Sequence, residues 1–169
     1  MAEDAEMRPA DEAVRLNDLT RRIIGAAITV HRELGPGLLE SAYEACLWQE
    51  LIDRGLEAKR QVAFPLLAGK ISVRRGCRVD LLVANCVVVE VKAIVGMAPI
   101  HLAKLSACLK QAKCKVGLLI NFNVPVLVHG VRRVVCGFPE TTKPARPNAE
   151  NGSGSGGECP PVTLPEAKM

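Results

Sequence analysis

A stretch near the middle of the chain constrains the fold most, because it predicts two strands joined by a tight turn. Residues 78–92 read RVDLLVANCVVVEVK, with valine and leucine on both sides of Ala84, Asn85 and Cys86. These aliphatic residues favour strands, and Asn85 tolerates the left-handed backbone of a short turn. A hairpin folded about Asn85 pairs residues whose numbers sum to 170.

The predicted hairpin brings charged side chains to one face of a sheet. Because side chains alternate along a strand, Asp80, Glu90 and Lys92 share this face, with Asp80 opposite Glu90 and Arg78 opposite Lys92. The other face receives only apolar residues: Val79, Leu81, Val83, Val87, Val89 and Val91. Like charges on facing strands repel by about 0.2–1 kcal/mol, so we expect a cation beside the two acids.

Two kinds of cation suit this pair, and the residues alone leave both open. A divalent ion such as Mg²⁺ takes carboxylate and carbonyl oxygens, and one or two acids suffice to hold it. Alternatively, the face is exposed and carries diagonal ion pairs, Asp80 with Lys92 and Glu90 with Arg78.

Composition and charge predict one domain with an anionic partner. The chain has 169 residues, of which 49% are hydrophobic and 3% aromatic, so its core is expected to be aliphatic. Residues 14–138 carry 18 lysines and arginines against nine acids, a net charge of +9, which favours a partner such as nucleic acid. We expect a domain at 16–138 between disordered tails at 1–15 and 139–169.

Two further features of the sequence concern the compartment. No apolar run reaches the roughly 18 residues of a membrane helix, and the acidic start lacks the order of a signal peptide. Seven cysteines occur without a CxxC pair, and Cys46, Cys86 and Cys108 lie in apolar patterns. We therefore expect buried free thiols, no zinc site, no membrane contact and a cytoplasmic location.

The remaining elements are predicted in the order α-α-β-β-β-β-α-β, with a possible further edge strand at 131–136. The predicted helices run from the N-cap Asn17 to Leu34, over 38–54 and over 100–113. The predicted strands flanking the hairpin are 57–67, 71–75 and 115–122, with an edge or bulge at Pro65 and a bulge at Gly76 before the hairpin. The continuous apolar strand at 115–122 is typical of a buried parallel position.

The start of the second helix carries two polar side chains on one face. Glu40 lies in the first turn, where the helix dipole favours a carboxylate, and Tyr43 is three residues further on. By the residues alone, Glu40 only serves the helix start and Tyr43 only packs.

Several segments together resemble a known family. Residues 37–43, GLLESAY, resemble the signature of the GxxExxY family, which is assigned to the PD-(D/E)xK nuclease superfamily. Arg-x-Asp at 78–80, Glu-x-Lys at 90–92 and the stretch LLINFNVP at 118–125 extend the similarity from about residue 16 to 135.

The resemblance implies an α/β fold with a restriction-endonuclease-like core, a mixed β-sheet flanked by helices, and hydrolysis of phosphodiester bonds in DNA or RNA. By this similarity Asp80, Glu90 and the backbone carbonyl of Val91 hold Mg²⁺ or Mn²⁺. Lys92 helps to activate water or to stabilise charge on the phosphate, and Glu40 completes the site, often through water.

The chain departs from the family pattern on the helix after Glu-x-Lys. The family usually has a glutamine there and a tyrosine one turn later, whereas this chain has Lys104 and Cys108 and keeps His101. Lys104 can contact a phosphate or compete with the metal for the two acids.

Four side chains are predicted to contact substrate: Arg78, His101, Lys104 and Tyr43. The alternatives to a nuclease are a catalytically inactive nucleic-acid-binding module and a protein-interaction subunit with the same fold. A homodimer stays open.

Overall fold

Five strands form one mixed sheet, which three helices flank. The computed structural model describes residues 8–68 and 71–137. The helices are α1 (Pro9–Leu34), α2 (Glu40–Asp53) and α3 (Pro99–Ala112). The strands are β1 (Ala58–Ala68), β2 (Ile71–Val83), β3 (Val87–Lys92), β4 (Val116–Asn121) and β5 (Val131–Val135). The strands lie in chain order, with β3 and β4 parallel and the other neighbours antiparallel. The predicted α/β class is therefore confirmed.

Two hydrophobic clusters fix the layers. On one face of the sheet, α1 and α2 pack against strand residues such as Leu81, Val89 and Ile120. On the other face, α3 packs against a smaller cluster that includes Val88 and Leu119. The sheet is thus covered on both sides, which explains the continuous apolar sequence of β4. None of the helices within 8–68 and 71–137 has the length and apolarity to cross a membrane.

The central hairpin has the predicted register close to its turn. Leu81 pairs with Val89, Leu82 with Val88 and Val83 with Val87. This pairing leaves a three-residue connection, 84–86, in which Ala84 and Asn85 have left-handed φ values of 49° and 53°.

Further from the turn the predicted faces are wrong at Val79. The β2–β3 ladder ends at Leu81 and Val89, so the expected pairing of Arg78 with Lys92 does not form. Val79 packs on the α3 side of the sheet, not with Leu81. The change of face coincides with Gln61 on β1, whose φ of 51° interrupts the β1–β2 pairing next to Asp80.

The first helix begins earlier than predicted. It starts at Pro9, and the expected cap Asn17 lies in its interior. Proline suits the first helical position, and Asp11 and Glu12 in the first turn are favoured by the helix dipole. Ala13 is fully buried, so part of the predicted tail at 1–15 belongs to the domain. Residues 1–7 and 138–169, which include the predicted C-terminal tail, lie outside the described residues.

The β1–β2 pair also differs from the prediction. The strand predicted to end at Arg75 continues to Val83, which gives three strands before α3 instead of four. The irregularity lies on β1, where the register shifts between Phe64 and Leu66, as the bulge predicted at Pro65 requires. Gly76 permits the close approach, since a Cβ there would overlap with Leu66. The turn predicted at 68–70 falls largely outside the described residues.

The expectation of free thiols is wrong for two cysteines. Cys77 on β2 and Cys108 on α3 face each other with Cα atoms 5.7 Å apart, and they form a disulfide. Cys46 is exposed instead of buried, because it lies on the outer side of α2. The disulfide joins the strand that carries Asp80 to the helix that carries Lys104.

Candidate active site

Charged side chains from α2, β2, β3 and α3 meet at the end of β3, and we call this group the candidate active site. Lys92 Nζ lies 3.2 Å from Glu90 Oε1 and 3.3 Å from Glu40 Oε2. Glu40 is the first residue of α2, so the start of this helix delivers its carboxylate to the strand end. Glu40 Oε1 also accepts a hydrogen bond from Ala93 N at 3.4 Å. The predicted grouping of Glu40, Glu90 and Lys92 is present.

Asp80 reaches this group through the backbone of β3. Its Oδ2 accepts a hydrogen bond from Val91 N at 2.9 Å. The carbonyl oxygen of the same residue, Val91, accepts from Lys92 Nζ at 2.8 Å. Two of the predicted metal-binding groups, Glu90 and the Val91 carbonyl, therefore contact Lys92 directly. The third, Asp80, is joined to them by its hydrogen bond to Val91 N.

Lys104 enters the group from α3. Its ammonium contacts Glu90 Oε1 at 2.5 Å, so Glu90, which is 2% exposed, has two lysines as partners. The diagonal pairs expected for an exposed face are absent from the described residues, since Glu90 pairs with Lys92 and Lys104 instead of Arg78. Lys104 would therefore compete with a metal ion for the Glu90 carboxylate.

Burial and neighbouring charges shift two pKa values. Burial, followed by the Glu90 charge, raises the pKa of Asp80 despite the Val91 hydrogen bond and Lys92. Burial alone would lower the pKa of Lys92, but the carboxylates of Glu90, Glu40 and Asp80 outweigh it and raise that pKa. Lys92 is therefore an ammonium ion at neutral pH, which suits charge stabilisation and not proton abstraction.

A second polar group supports Asp80 from behind, and the sequence analysis did not find it. Buried Glu44 accepts from Arg60 Nε at 2.9 Å and from Gln61 Nε2 at 2.6 Å. Gln61 Nε2 also lies 3.4 Å from Asp80 Oδ1. The spacing of Glu44, four residues after Glu40, could have indicated it, because such residues share a helix face. Nothing in the strand pattern singles out Gln61.

Tyr43 is placed differently from its predicted role. Its ring is fully buried and stacks on Phe122 with centroids 4.5 Å apart. Its hydroxyl donates to Gly35 O at 2.6 Å and accepts from Leu38 N at 3.1 Å. A substrate does not reach this ring, so we assign Tyr43 to holding the loop that precedes Glu40.

The other two predicted substrate contacts lie at the margin of the site. Arg78 is exposed and pairs with Ala63 on β1, and it lines a groove between β2 and α3 together with Lys104. His101 Nδ1 accepts from Ala98 N at 3.0 Å at the start of α3. Neither contacts Asp80 or Glu90 among the described residues.

Asn121, a further residue that the sequence analysis missed, fixes the loop after Lys92. It is buried at the end of β4, and its side chain bonds both Ile94 N, at 3.1 Å, and Ile94 O, at 2.8 Å. The signal was a polar residue at the end of a continuous apolar strand.

The donor chemistry of the candidate active site fits a hard divalent ion. Asp80, Glu90 and the Val91 carbonyl offer oxygen atoms of the kind that Mg²⁺ and Mn²⁺ prefer. A preformed cluster of three or more His, Cys, Asp or Glu side chains is absent from the described part of the chain. Lysine ammonium groups neutralise these oxygens instead, so a bound ion has to displace at least the contact of Lys104 with Glu90.

Comparison with known proteins agrees with this geometry. The family model of the PD-(D/E)XK nuclease superfamily matches residues 17–134. The chain belongs to this superfamily, whose members generally use divalent metal ions and act on nucleic acids. No significant match was found among curated proteins or among solved structures. The resemblance to the GxxExxY family within the superfamily stays a prediction.

Proposed function

We propose that the chain is a nuclease that hydrolyses phosphodiester bonds in DNA or RNA with Mg²⁺ or Mn²⁺. The observation that carries the proposal is the contact of Glu40 and Glu90 with Lys92 at the end of β3. Both carboxylates lie within 3.3 Å of the Lys92 ammonium. Superfamily membership supports the same reaction class.

Each residue has a role that follows from its contacts. Asp80, Glu90 and the Val91 carbonyl would hold the ion, which supplies Lewis-acid activation of water and of the phosphate. Lys92, kept protonated by its carboxylate neighbours, offers positive charge to the phosphate oxygens. Glu40 holds Lys92 from the side of α2 and, being half-exposed, can orient a water molecule.

The contact of Lys104 with Glu90 favours a second candidate, an inactive module that binds nucleic acid without cleaving it. In this case Lys104 serves as a permanent counterion in place of a metal. Lys104→Gln then separates the two candidates, because it removes the competing charge and restores the residue usual in the related family.

We expect Lys104→Gln to bind Mg²⁺ about tenfold more tightly than the native chain, since the loss of a competing contact of about 1.4 kcal/mol corresponds to this factor. Lys110→Gln on the same helix is the matched control and should leave the affinity unchanged. Cleavage by the variant alone would identify the native chain as an inactive module; cleavage by both would support the nuclease.

The direct test measures Mg²⁺ binding by calorimetry for the native chain, Asp80→Asn and Glu90→Gln, with Asp18→Asn on α1 as a surface control. The same samples are assayed on single- and double-stranded DNA and RNA. The proposal requires binding and cleavage by the native chain and the control, and loss of both in the two site variants. Absence of Mg²⁺ and Mn²⁺ binding by the native chain would reject it and leave the inactive module and the interaction subunit.

A further inference from the structure

We infer that Gln61 is a positioning residue that orients the Asp80 carboxylate toward the candidate metal site by tying it to buried Glu44. This inference rests on the proposed function, since it concerns one of the proposed metal-binding groups. Its basis is a set of contacts that lies outside those groups.

The amide of Gln61 lies between two carboxylates. Its Nε2 is 2.6 Å from Glu44 Oε2 and 3.4 Å from Asp80 Oδ1. An NH₂ group has two hydrogens, so one nitrogen can donate to both acids. With Val91 N on Oδ2, both oxygens of Asp80 then have a donor, and the plane of the carboxylate is defined.

Glu44 provides a fixed support for this amide. It is 6% exposed, and Arg60 Nε contacts its Oε1 at 2.9 Å. The Arg60 guanidinium lies 5.7 Å from the centre of the Trp48 ring, whose Nε1 donates to Ala58 O. A buried carboxylate with two hydrogen-bonding partners moves little, so the Gln61 amide that it holds is also fixed.

The backbone of Gln61 shows what this placement requires. Its φ of 51° is unusual for a residue with a side chain, and it falls within a strand where an extended backbone is expected. Such conformations are costly and persist where the surrounding structure demands them, often at functional sites. The left-handed backbone interrupts the β1–β2 ladder next to Asp80, where the Gln61 amide meets both acids.

The test removes the amide while retaining the size of the side chain. Gln61→Met should weaken Mg²⁺ binding at least about tenfold, as the loss of a hydrogen-bonding partner of a metal ligand generally does. It should also speed hydrogen exchange of the Val91 amide in the metal-free protein, because Asp80 is then free to leave it. Gln49→Met is the matched control: Gln49 also donates its amide to an aspartate, Asp53, at 2.8 Å, but on the far side of α2. It should change neither quantity.

The two readouts keep this inference separate from the proposed function. If the native chain fails to bind Mg²⁺, the proposed function fails, and the Val91 exchange rate still decides whether Gln61 positions Asp80. Unchanged Val91 exchange in Gln61→Met would overturn the inference, as would native Mg²⁺ affinity in a chain that binds the ion. Should Gln61→Met not fold, Gln61→Asn serves instead, since asparagine tolerates positive φ and its shorter amide cannot reach both acids.

Discussion

At the scale of single residues, the Asp80 carboxylate is the charge of the candidate active site with the weakest compensation. Glu90 contacts two ammonium groups, whereas Asp80 accepts from the neutral Val91 N–H and lies near the neutral Gln61 amide. Burial and the Glu90 charge raise its pKa, so the folded chain binds a proton at Asp80 more readily than the unfolded chain does. The charged form of Asp80 therefore opposes folding.

The pH dependence of this cost follows from the direction of the shift. The stability that Asp80 contributes decreases as pH rises from the pKa of the unfolded chain, near 3.8, through the raised pKa of the folded chain. We expect Asp80→Asn to raise the free energy of unfolding at neutral pH by about 0.2–1 kcal/mol, the cost of like charges on facing strands. The gain should vanish in urea titrations below the unfolded pKa. A loss of stability at neutral pH would contradict this expectation.

The sequence could predict which charged residues come together at the end of β3 but not all of their contacts. Asp80, Glu90 and Lys92 follow from alternation in a hairpin, because the turn at Asn85 fixes the register. Gln61 could not be found, since its left-handed backbone departs from the period-two pattern on which the prediction depends. Tyr43 was misplaced because its spacing from Glu40 does not show which of the two faces the core.

At the scale of elements, the disulfide between β2 and α3 holds together the two elements that carry Asp80 and Lys104. Cys108 lies one helical turn after Lys104, so the link fixes the helix face that presents Lys104 to Glu90. A groove of about 360 Å³ between β2 and α3 is lined by both cysteines and by Lys104. Both cysteines border this groove, although they are only 9% and 3% exposed.

We expect reduction of the disulfide to lower the free energy of unfolding by about 3–4 kcal/mol, since the bond constrains an unfolded loop with a sequence separation of 31. The measurement is urea unfolding with and without dithiothreitol. The double variant Cys77→Ala, Cys108→Ala is the control and should not respond to the reductant. Equal unfolding of the native chain in both conditions would show that the bond does not form in solution.

Element boundaries were predicted where local signals are strong. The second and third helices, β3 and β4 follow from apolar patterns and glycine or proline stops, and their bounds shift by only one or two residues. The start of α1 was missed because Asn17 is a strong cap by itself, whereas the small Ala13 gives little hydrophobic signal. The continuity of β2 through Gly76 depends on the bulge of the partner strand, which a single strand's sequence does not show.

At the scale of the whole molecule, positive charge exceeds negative charge over the domain. Residues 14–138 carry a net charge of +9, and such an excess attracts polyanions. Arg78 is exposed, and within the described residues it forms no ion pair with an acid, so its charge is available to a phosphate.

We expect the logarithm of the nucleic-acid binding constant to fall linearly with the logarithm of salt concentration. Arg78→Ala should reduce the magnitude of this slope by about 1. Arg21→Ala is the matched control, because Arg21 is also exposed, lies on α1 and is near Asp18. The measurement is fluorescence anisotropy with a labelled oligonucleotide in the absence of divalent ions. An unchanged slope for Arg78→Ala would remove Arg78 from the substrate-binding surface.

The charge of Lys104 also affects the net charge of the site before and after an ion or a phosphate binds. The candidate active site and its support contain four carboxylates and three cations, which leaves one net negative charge (Glu40, Glu44, Asp80 and Glu90; Arg60, Lys92 and Lys104). A divalent ion reverses this to one positive charge, which a single phosphodiester neutralises. With a glutamine at position 104, the ion alone would already neutralise the site. If the proposed function holds, the lysine would shift attraction from the ion to the nucleic-acid strand, and the site would reach neutrality only when both are bound.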